Sequence, residues 1–453
     1  MTGRYPMRYG LQRGVIRPDE PEGIPLREIL LPQGFRECGY STLMSGKWHL
    51  GYYTKAHRPQ NRGFDRFYGF YVGSQDFYFH RTGFKSDGAS FWSEEGYSTG
   101  EEIIRHDAWG HYSTTLLVDD AIKQLRNRNP GNPLFHYLSI QDPHAPEQRP
   151  LRLEQSIKHF ALRGERKIFV TKVKSMDLEI GRYLDVLKRI YIPDYNNTIV
   201  IFSSDNGGPR KLGASNWPLR GGKGCIFDGA FRSRALIHIP GMKHKNYPHM
   251  FHAVDWMPTL MEMLSCKLPK DHLPLDGVSH MKTILGMTDR APREEMLLDI
   301  DPEEVLQKTA SDARDFSYLK KSGFDSRMRA ALRYKEWKII TGPPCSGTKC
   351  GVQSENRNYY KAEEYVSKSR SVRLYNITAD PRESYDLSDK YPEVTKALLL
   401  KLSVYHEEQS LFMDRMRDKK ALPETSEHTW FPWRESEVND EAHQDYLIRV
   451  LAD

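Results

Sequence analysis

The sequence predicts an α/β fold: a doubly wound, mostly parallel sheet flanked by helices, with a smaller C-terminal α+β domain. Three observations predict it. Short β-branched runs alternate with helix-length amphipathic stretches through the first two thirds of the chain. The run over 198–203 is almost continuously apolar, as in a strand covered on both faces. From about Asp299 the pattern changes to short strands with hairpin spacing. At 453 residues the chain exceeds one ordinary domain of roughly 100–200 residues. The division read from it is residues 1–300 for the α/β domain and 301–453 for the smaller one.

Taken in order, residues 24–38 read as a helix stopped by Gly39. A strand over 40–44 runs into Ser45-Gly46-Lys47-Trp48-His49-Leu50-Gly51. A helix over 113–128 opens at Ser113 and closes at Asn129-Pro130-Gly131. A strand over 134–140 leads to the Pro-rich loop 141–146. The clearest helix covers 165–190, where Val173, Met176, Ile180, Leu184 and Leu187 recur at three and four and predict one buried stripe. After a turn at Pro193-Asp194, the strand over 198–203 ends in Asp205-Asn206-Gly207-Gly208. In the small domain, 329–334 and 337–340 read as an antiparallel hairpin. A polar stretch (343–370), a strand over 372–375 and a helix over 391–408 follow, with a loosely held charged tail after Ser410.

Sixty-six basic residues against 60 acidic ones leave a net charge of +6. That is too mild for a nucleic-acid partner, which calls for a concentrated basic face, but it suits an anionic substrate drawn into a local cationic pocket. No apolar run approaches the roughly 18 residues of a membrane span. Five cysteines occur, none in a CxxC pair; a short-loop Cys345–Cys350 disulfide is left open. The sequons at Asn196 and Asn376 weakly support a secretory route. No signal peptide is visible at Met1, so the chain reads as cytoplasmic or as lacking its true beginning.

In doubly wound sheets ligands bind beyond the carboxyl ends of the strands, so the loops after residues 44, 140 and 203 are expected to carry the chemistry. Lys47 and His49, between Gly46 and Gly51, offer a cation and an imidazole to an anion that must exchange a proton; the plainer alternative is a surface lysine beside a half-buried Trp-His pair. Asp205 and Asn206 offer hard oxygens to Ca²⁺ or Mg²⁺, or else form an Asx-turn or helix cap. His144 is a second candidate imidazole, against a structural histidine. Lys223, in Arg220-Gly221-Gly222-Lys223-Gly224, is a candidate oxyanion contact, against a solvated loop lysine.

Together these motifs resemble the sulfatase family, most closely its arylsulfatase B-like branch. Residues 39–51, ending in Gly46-Lys47-Trp48-His49-Leu50-Gly51, are similar to the family's second signature. Arg62-Gly63-Phe64-Asp65 matches its next landmark, and Ser203-Ser204-Asp205-Asn206-Gly207-Gly208 its metal-ligand motif. Residues 216–223 match its basic loop, 255–260 the helix after it, and Arg333 to Lys338 with Asp380-Pro381-Arg382-Glu383 its carboxyl-terminal pieces. The resemblance implies that Lys47 and Lys223 hold sulfate oxygens and that His49 bonds the nucleophile. It implies that His144 faces the leaving group and that Asp205 and Asn206 are two ligands of one Ca²⁺. The implied substrate is an aryl sulfate or sulfated glycan such as sulfated N-acetylgalactosamine in glycosaminoglycans, and the implied compartment is lysosomal or extracellular. Oligomeric state is not implied.

Two departures qualify the resemblance. The family's Cys-x-Pro-Ser-Arg signature, whose Cys becomes the formylglycine nucleophile, does not occur in these 453 residues. Met1-Thr2-Gly3-Arg4-Tyr5 is similar to the end of the stretch that follows it. The expectation is therefore an amino-terminally truncated sulfatase that lacks its first strand and its upstream metal ligands, is poorly stable, and is inactive as given. The alternatives are a catalytically silent protein that binds sulfated glycans, or a phosphatase or phosphodiesterase of the same superfamily; His-rich two-metal motifs are missing for the latter. Secondly, Asp228-Gly229-Ala230 stands where the family shows Glu-Gly-Gly, a change expected to shift the Lys223 loop slightly.

Overall fold

A computed structural model describes residues 1–84, 86–89, 91–94, 102–104, 106–190, 195–305, 322–345, 370–410, 417–422 and 430–435. Its centre is β1 (Ser41–Lys47), paired in parallel with β2 (Arg66–Phe70) on one side. β3 (Arg81–Phe84) and β4 (Ser86–Ala89) form a separate hairpin, while β5 (Phe91–Glu94) and β6 (Glu102–Ile104) extend the sheet beyond β2 in antiparallel fashion. β7 (Leu134–Ser139) lies parallel to β1 on the other side, giving the order β6-β5-β2-β1-β7. The core of the sheet is thus parallel with an antiparallel edge. The helix α1 (Leu31–Glu37) leads into β1, α2 (Ser113–Asn127) connects β6 to β7, and α3 (Gly164–Ile190) follows β7. Leu117, Val118, Ala121 and Leu125 of α2 are buried, and α2 packs on β1, β2 and β7.

Three expectations are corrected. The helix read over 24–38 begins only at Leu31. The Arg62 guanidinium donates to the carbonyls of Ile24 (2.7 Å), Pro25 (3.3 Å) and Glu28 (2.6 Å), so this segment's acceptors are taken by a tertiary partner instead of a helix ladder. In α3 the fully buried residues include Thr171, Lys172, Ser175 and Glu179, whereas Val173, Met176, Ile180 and Leu184 are half-buried and only Leu187 of the apolar stripe is buried. α3 docks through a polar seam: Thr115 Oγ1 of α2 donates to Glu179 at 2.9 Å, and Arg182 Nε donates to the same carboxylate at 2.7 Å. Finally, β8 (Val200–Ser203) is not covered on both faces. It pairs antiparallel with β9 (Ala235–His238) in a sheet of its own, half-exposed along its length. Among the described residues β7 has only β1 as a partner strand, and β8 only β9.

α4 (Asp228–Phe231), α5 (Trp256–Met263) and α6 (Met281–Ile284) lead to an antiparallel sheet that starts at Glu295. Its strands β10 (Glu295–Val305), β11 (Met328–Tyr334), β12 (Trp337–Thr341) and β13 (Val372–Asn376) lie in sequence order. α7 (Pro392–Glu407) covers it, with Leu398, Leu399 and Leu402 packed among Leu332, Ile339 and Leu374. Lys338 of β12 is buried and bridges Asp228 of α4 (2.8 Å) and Glu383 (2.7 Å), which joins this sheet to the loops of the α/β part. Cys345 is disulfide-bonded. Cys350, most of the polar stretch after 343 and much of the tail after 410 lie outside the described residues.

Candidate active site

At the carboxyl end of β1 the parallel strands leave no room for a side chain. Gly46 has φ +128°, and a Cβ there would lie 1.9 Å from the Ser139 carbonyl oxygen of β7. Only glycine fits that position. The chain then leaves the sheet through Lys47, and Trp48 fixes the turn by donating from Nε1 to the carbonyls of Gly51 (2.8 Å) and His57 (3.1 Å). The backbone N–H groups of Trp48 and His49 donate to Phe70 and Tyr71 at 2.9 and 3.0 Å. His49 adopts a left-handed φ of +53°, which swings its ring toward Ile16 and Gly73. Its Nε2 lies 3.0 Å from the Ile16 carbonyl oxygen. A carbonyl only accepts, so Nε2 carries the proton and Nδ1 keeps its lone pair. A Cβ on Gly73 would stand 2.7 Å from the ring, so this glycine makes room for the imidazole.

His144 arrives from the loop after β7. Asp142 of that loop accepts from Tyr112 Oη and Thr114 Oγ1, each at 2.8 Å, and burial raises its carboxyl to about 6. Lys172 of α3 holds the loop from below. Its buried ammonium donates to the carbonyls of His144 and of Pro146, the latter at 2.7 Å, and sits 4.1 Å from the Phe77 ring centre. Burial lowers Lys172 to about 8. His144 Nδ1 donates to the Ala145 carbonyl (3.0 Å), which leaves Nε2 as an acceptor. The exposed Lys223 ammonium donates to that Nε2 at 3.2 Å.

The loop after β8 is tied to the Lys223 loop by one amide. Asn216 Oδ1 accepts from the Gly208 N–H (2.8 Å), while its Nδ2 donates to the carbonyls of Gly208 (2.9 Å) and Gly221 (3.1 Å). The Gly207 N–H donates to Ala230 (2.7 Å) and the Gly229 N–H to Arg220 (2.8 Å), so the Asp228-Gly229-Ala230 variation is packed directly against this loop. Asp205 is exposed, and the Asn206 amide turns back onto the Gly207 carbonyl at 3.0 Å. Calcium takes six to eight oxygens, and Asp205 with Asn206 supplies two. No three His, Cys, Asp or Glu side chains gather in a metal-binding group among the described residues. These residues alone do not make a calcium site.

Charge interactions link five of the six residues, and of these Lys223 and His144 are in direct contact. Burial lowers Lys47 to about 8, with the Lys223 charge pushing further down and Asp205 pulling up. Burial lowers His49 to about 4, with Lys47, His144 and Lys223 adding to it. Burial, Lys223 and Lys47 likewise depress His144. The structure therefore brings Lys47, His49, His144, Lys223 and Asp205 into one interacting group, while the Asn206 side chain bonds within its own loop. Sequence reasoning missed Lys172, Gly73 and the Ile16 carbonyl. Lys172 carries no signal of its own, because a lysine on an amphipathic helix reads as solvated. Two lysines and two largely neutral imidazoles that interact in this way can bind a tetrahedral oxyanion and pass protons beside it.

The family profile for sulfatases matches residues 1–265. The chain belongs to the sulfatase family. This sulfatase is 34% identical to arylsulfatase J of Mus musculus over 444 residues, 96% of this chain and 72% of that protein. It is 28% identical to arylsulfatase A of Homo sapiens over 428 residues, 88% of this chain and 75% of that one. Among solved structures, Ps i-CgsB in complex with k-i-k-neocarrahexaose superposes with a TM-score of 0.70 at 22% identity, covering 92% of this chain and 83% of that one. That last likeness bears on the fold, a sulfatase-type sheet flanked by helices. No helix among the described residues is long and apolar enough to cross a membrane.

Proposed function

We propose that Lys47, His49, His144 and Lys223 form the sulfate pocket of a sulfuric ester hydrolase of the arylsulfatase B-like branch, acting on sulfated glycans in a lysosomal or extracellular setting. The observation that carries this reading is the 3.2 Å contact of Lys223 Nζ with His144 Nε2, between loops 79 residues apart and beside Lys47. Cleaving a sulfate ester builds negative charge on the sulfuryl oxygens and on the leaving oxygen. Lys47 and Lys223 neutralise the former. The Lys223–His144 pair holds a proton ready for the latter. His49, neutral above about pH 4 and with Nδ1 unprotonated, accepts a proton from an attacking hydroxyl.

The formylglycine-forming signature is absent from these residues, so the chain by itself is proposed to bind sulfate without turning over its esters. Ca²⁺ is a partial reading carried by Asp205 and Asn206, and no step above uses it. A calorimetric titration should find only weak Ca²⁺ binding, and micromolar affinity would contradict this. The direct test pairs sulfate binding with 4-nitrophenyl sulfate hydrolysis on the purified chain. The expected result is no hydrolysis, with sulfate affinity reduced about tenfold by Lys47→Ala. Turnover by these residues alone, or sulfate binding indifferent to Lys47→Ala, overturns the proposal.

A further inference from the structure

Away from the pocket, two helix ends bring two thiols together. Cys38 caps α1: its N–H donates to the carbonyls of Gly34 (3.3 Å) and Phe35 (3.1 Å), and Gly39 then turns left-handed at φ +81°. Cys266 follows α5. Ser265 takes φ +54°, and the Cys266 N–H folds back to donate to the Met261 carbonyl at 2.8 Å. α1 and α5 pack closely; a Cβ on Gly34 would lie 3.1 Å from Met261 Cε. Both thiols are half-buried and unoxidised, and the Cys38 and Cys266 side chains hydrogen-bond each other.

We infer that Cys38 and Cys266 are the site of a structural disulfide that crosslinks α1 to the C-terminal turn of α5. The other cysteines do not compete for it. Cys345 is already disulfide-bonded, and Cys225 is buried among Ile226, Phe227, Ala331 and Ile340 in a different cluster. A chain that carries one disulfide matures where disulfides persist, so an oxidant is at hand there. The step needs a disulfide donor, either glutathione disulfide or a dithiol oxidase. The Cys38 thiolate attacks one donor sulfur and releases a donor thiolate. Cys266 then attacks the Cys38 sulfur of the mixed disulfide and releases the second. Two protein thiols are oxidised, one donor disulfide is reduced, and the two protons end on the donor thiols.

The surroundings favour a permanent link over a redox switch. Burial pushes Cys266 up to about 12, with the Cys38 contact adding to it, so little thiolate is present for a small oxidant to find in the folded protein. The bond would form during folding. It would close a loop of roughly 230 residues, the long-loop case in which a crosslink restrains the unfolded chain most. It would also pin the cluster of Phe35, Leu260 and Met261, on which Phe135 of β7 and Ile201 of β8 rest.

The test is a peptide map, under non-reducing conditions and after alkylation, of the full chain expressed through an oxidising secretory compartment. The expected product joins the Cys38 and Cys266 peptides and disappears on reduction. Cys38→Ser should leave Cys266 alkylatable without reduction once the protein is denatured and lower Tm by several degrees, with Cys38→Ser/Cys266→Ser no lower than the single variant. If the variants fail to accumulate, the wild-type map decides. Recovery of Cys38 and Cys266 both alkylated without reduction, or of Cys266 joined to Cys225 or to glutathione, overturns the inference.

Discussion

β11 and β12 are buried along nearly their whole length, whereas β7 and β8, built from the same kinds of residue, stay half-exposed. Leu332 and Ile339 have α7 and the N-terminal residues Tyr5 and Met7 in the same cluster. Phe135 and Ile201 rest only partly on α1 and α5, and Tyr137 and Leu236 are 37% and 55% exposed. The contrast teaches that an apolar, β-branched run sets a strand but not its burial; the neighbouring elements set that. It also separates the regions by role. The antiparallel sheet is a closed core, while the strands that lead into the site loops are open.

The largest effect should come from the closed side. Lys338→Ala leaves Asp228 and Glu383 facing each other in a buried place, at a cost of about 3–5 kcal/mol. Burial, followed by the Asp228 charge, raises Glu383 to about 7. In the variant Glu383 can take up a proton as pH falls, so denaturant titrations should show a smaller loss at pH 5 than at pH 8. A pH-independent loss would mean the triad is not electrostatically linked. Next, Leu332→Ala should cost about 2–5 kcal/mol, and Val200→Ala on the open side no more than about 1 kcal/mol. Equal losses measured by urea unfolding would erase the contrast between the sheets.

Lys172→Met removes the buried donor of two half-buried carbonyls, at about 1 kcal/mol. It should also weaken sulfate binding severalfold, because the His144 loop loses its anchor. A stability loss with unchanged sulfate affinity would make Lys172 purely structural. The last effect is in pH. Lys47 is cationic below about 8, and sulfate needs that cation, so affinity should be level from pH 6 to 7 and fall about tenfold as pH rises through 8 to 10. His49, lowered to about 4, is already neutral across that range and contributes no step. Lys47→Ala should abolish the inflection.

The site loops were legible in the sequence because each follows a strand and carries polar residues bracketed by glycines. Lys47, His144, Asp205 and Lys223 stood out as candidates by position and residue type beside plainer structural readings, and the resemblance to sulfatases supplied their expected roles. What completes them was not legible. Arg62 takes the carbonyls of residues 24, 25 and 28 and so cancels half of a helix that local propensity favours. Lys172 is buried by carbonyls that come from a loop more than twenty residues away. The α3 stripe was read as buried because spacing alone cannot reveal that the helix docks through Thr171, Ser175 and Glu179. Each miss is a polar tertiary contact that overrides a correct local pattern.

The gathering of Lys47 and Lys223 around one anion is tested most directly by titrating sulfate across pH 6 to 10 with wild-type protein and Lys223→Ala. Because the Lys223 charge helps hold Lys47 down, its removal should weaken sulfate binding at pH 7 and move the inflection above pH 8. Weaker binding with an unmoved inflection, or no change at all, would show that the two lysines do not face the same site.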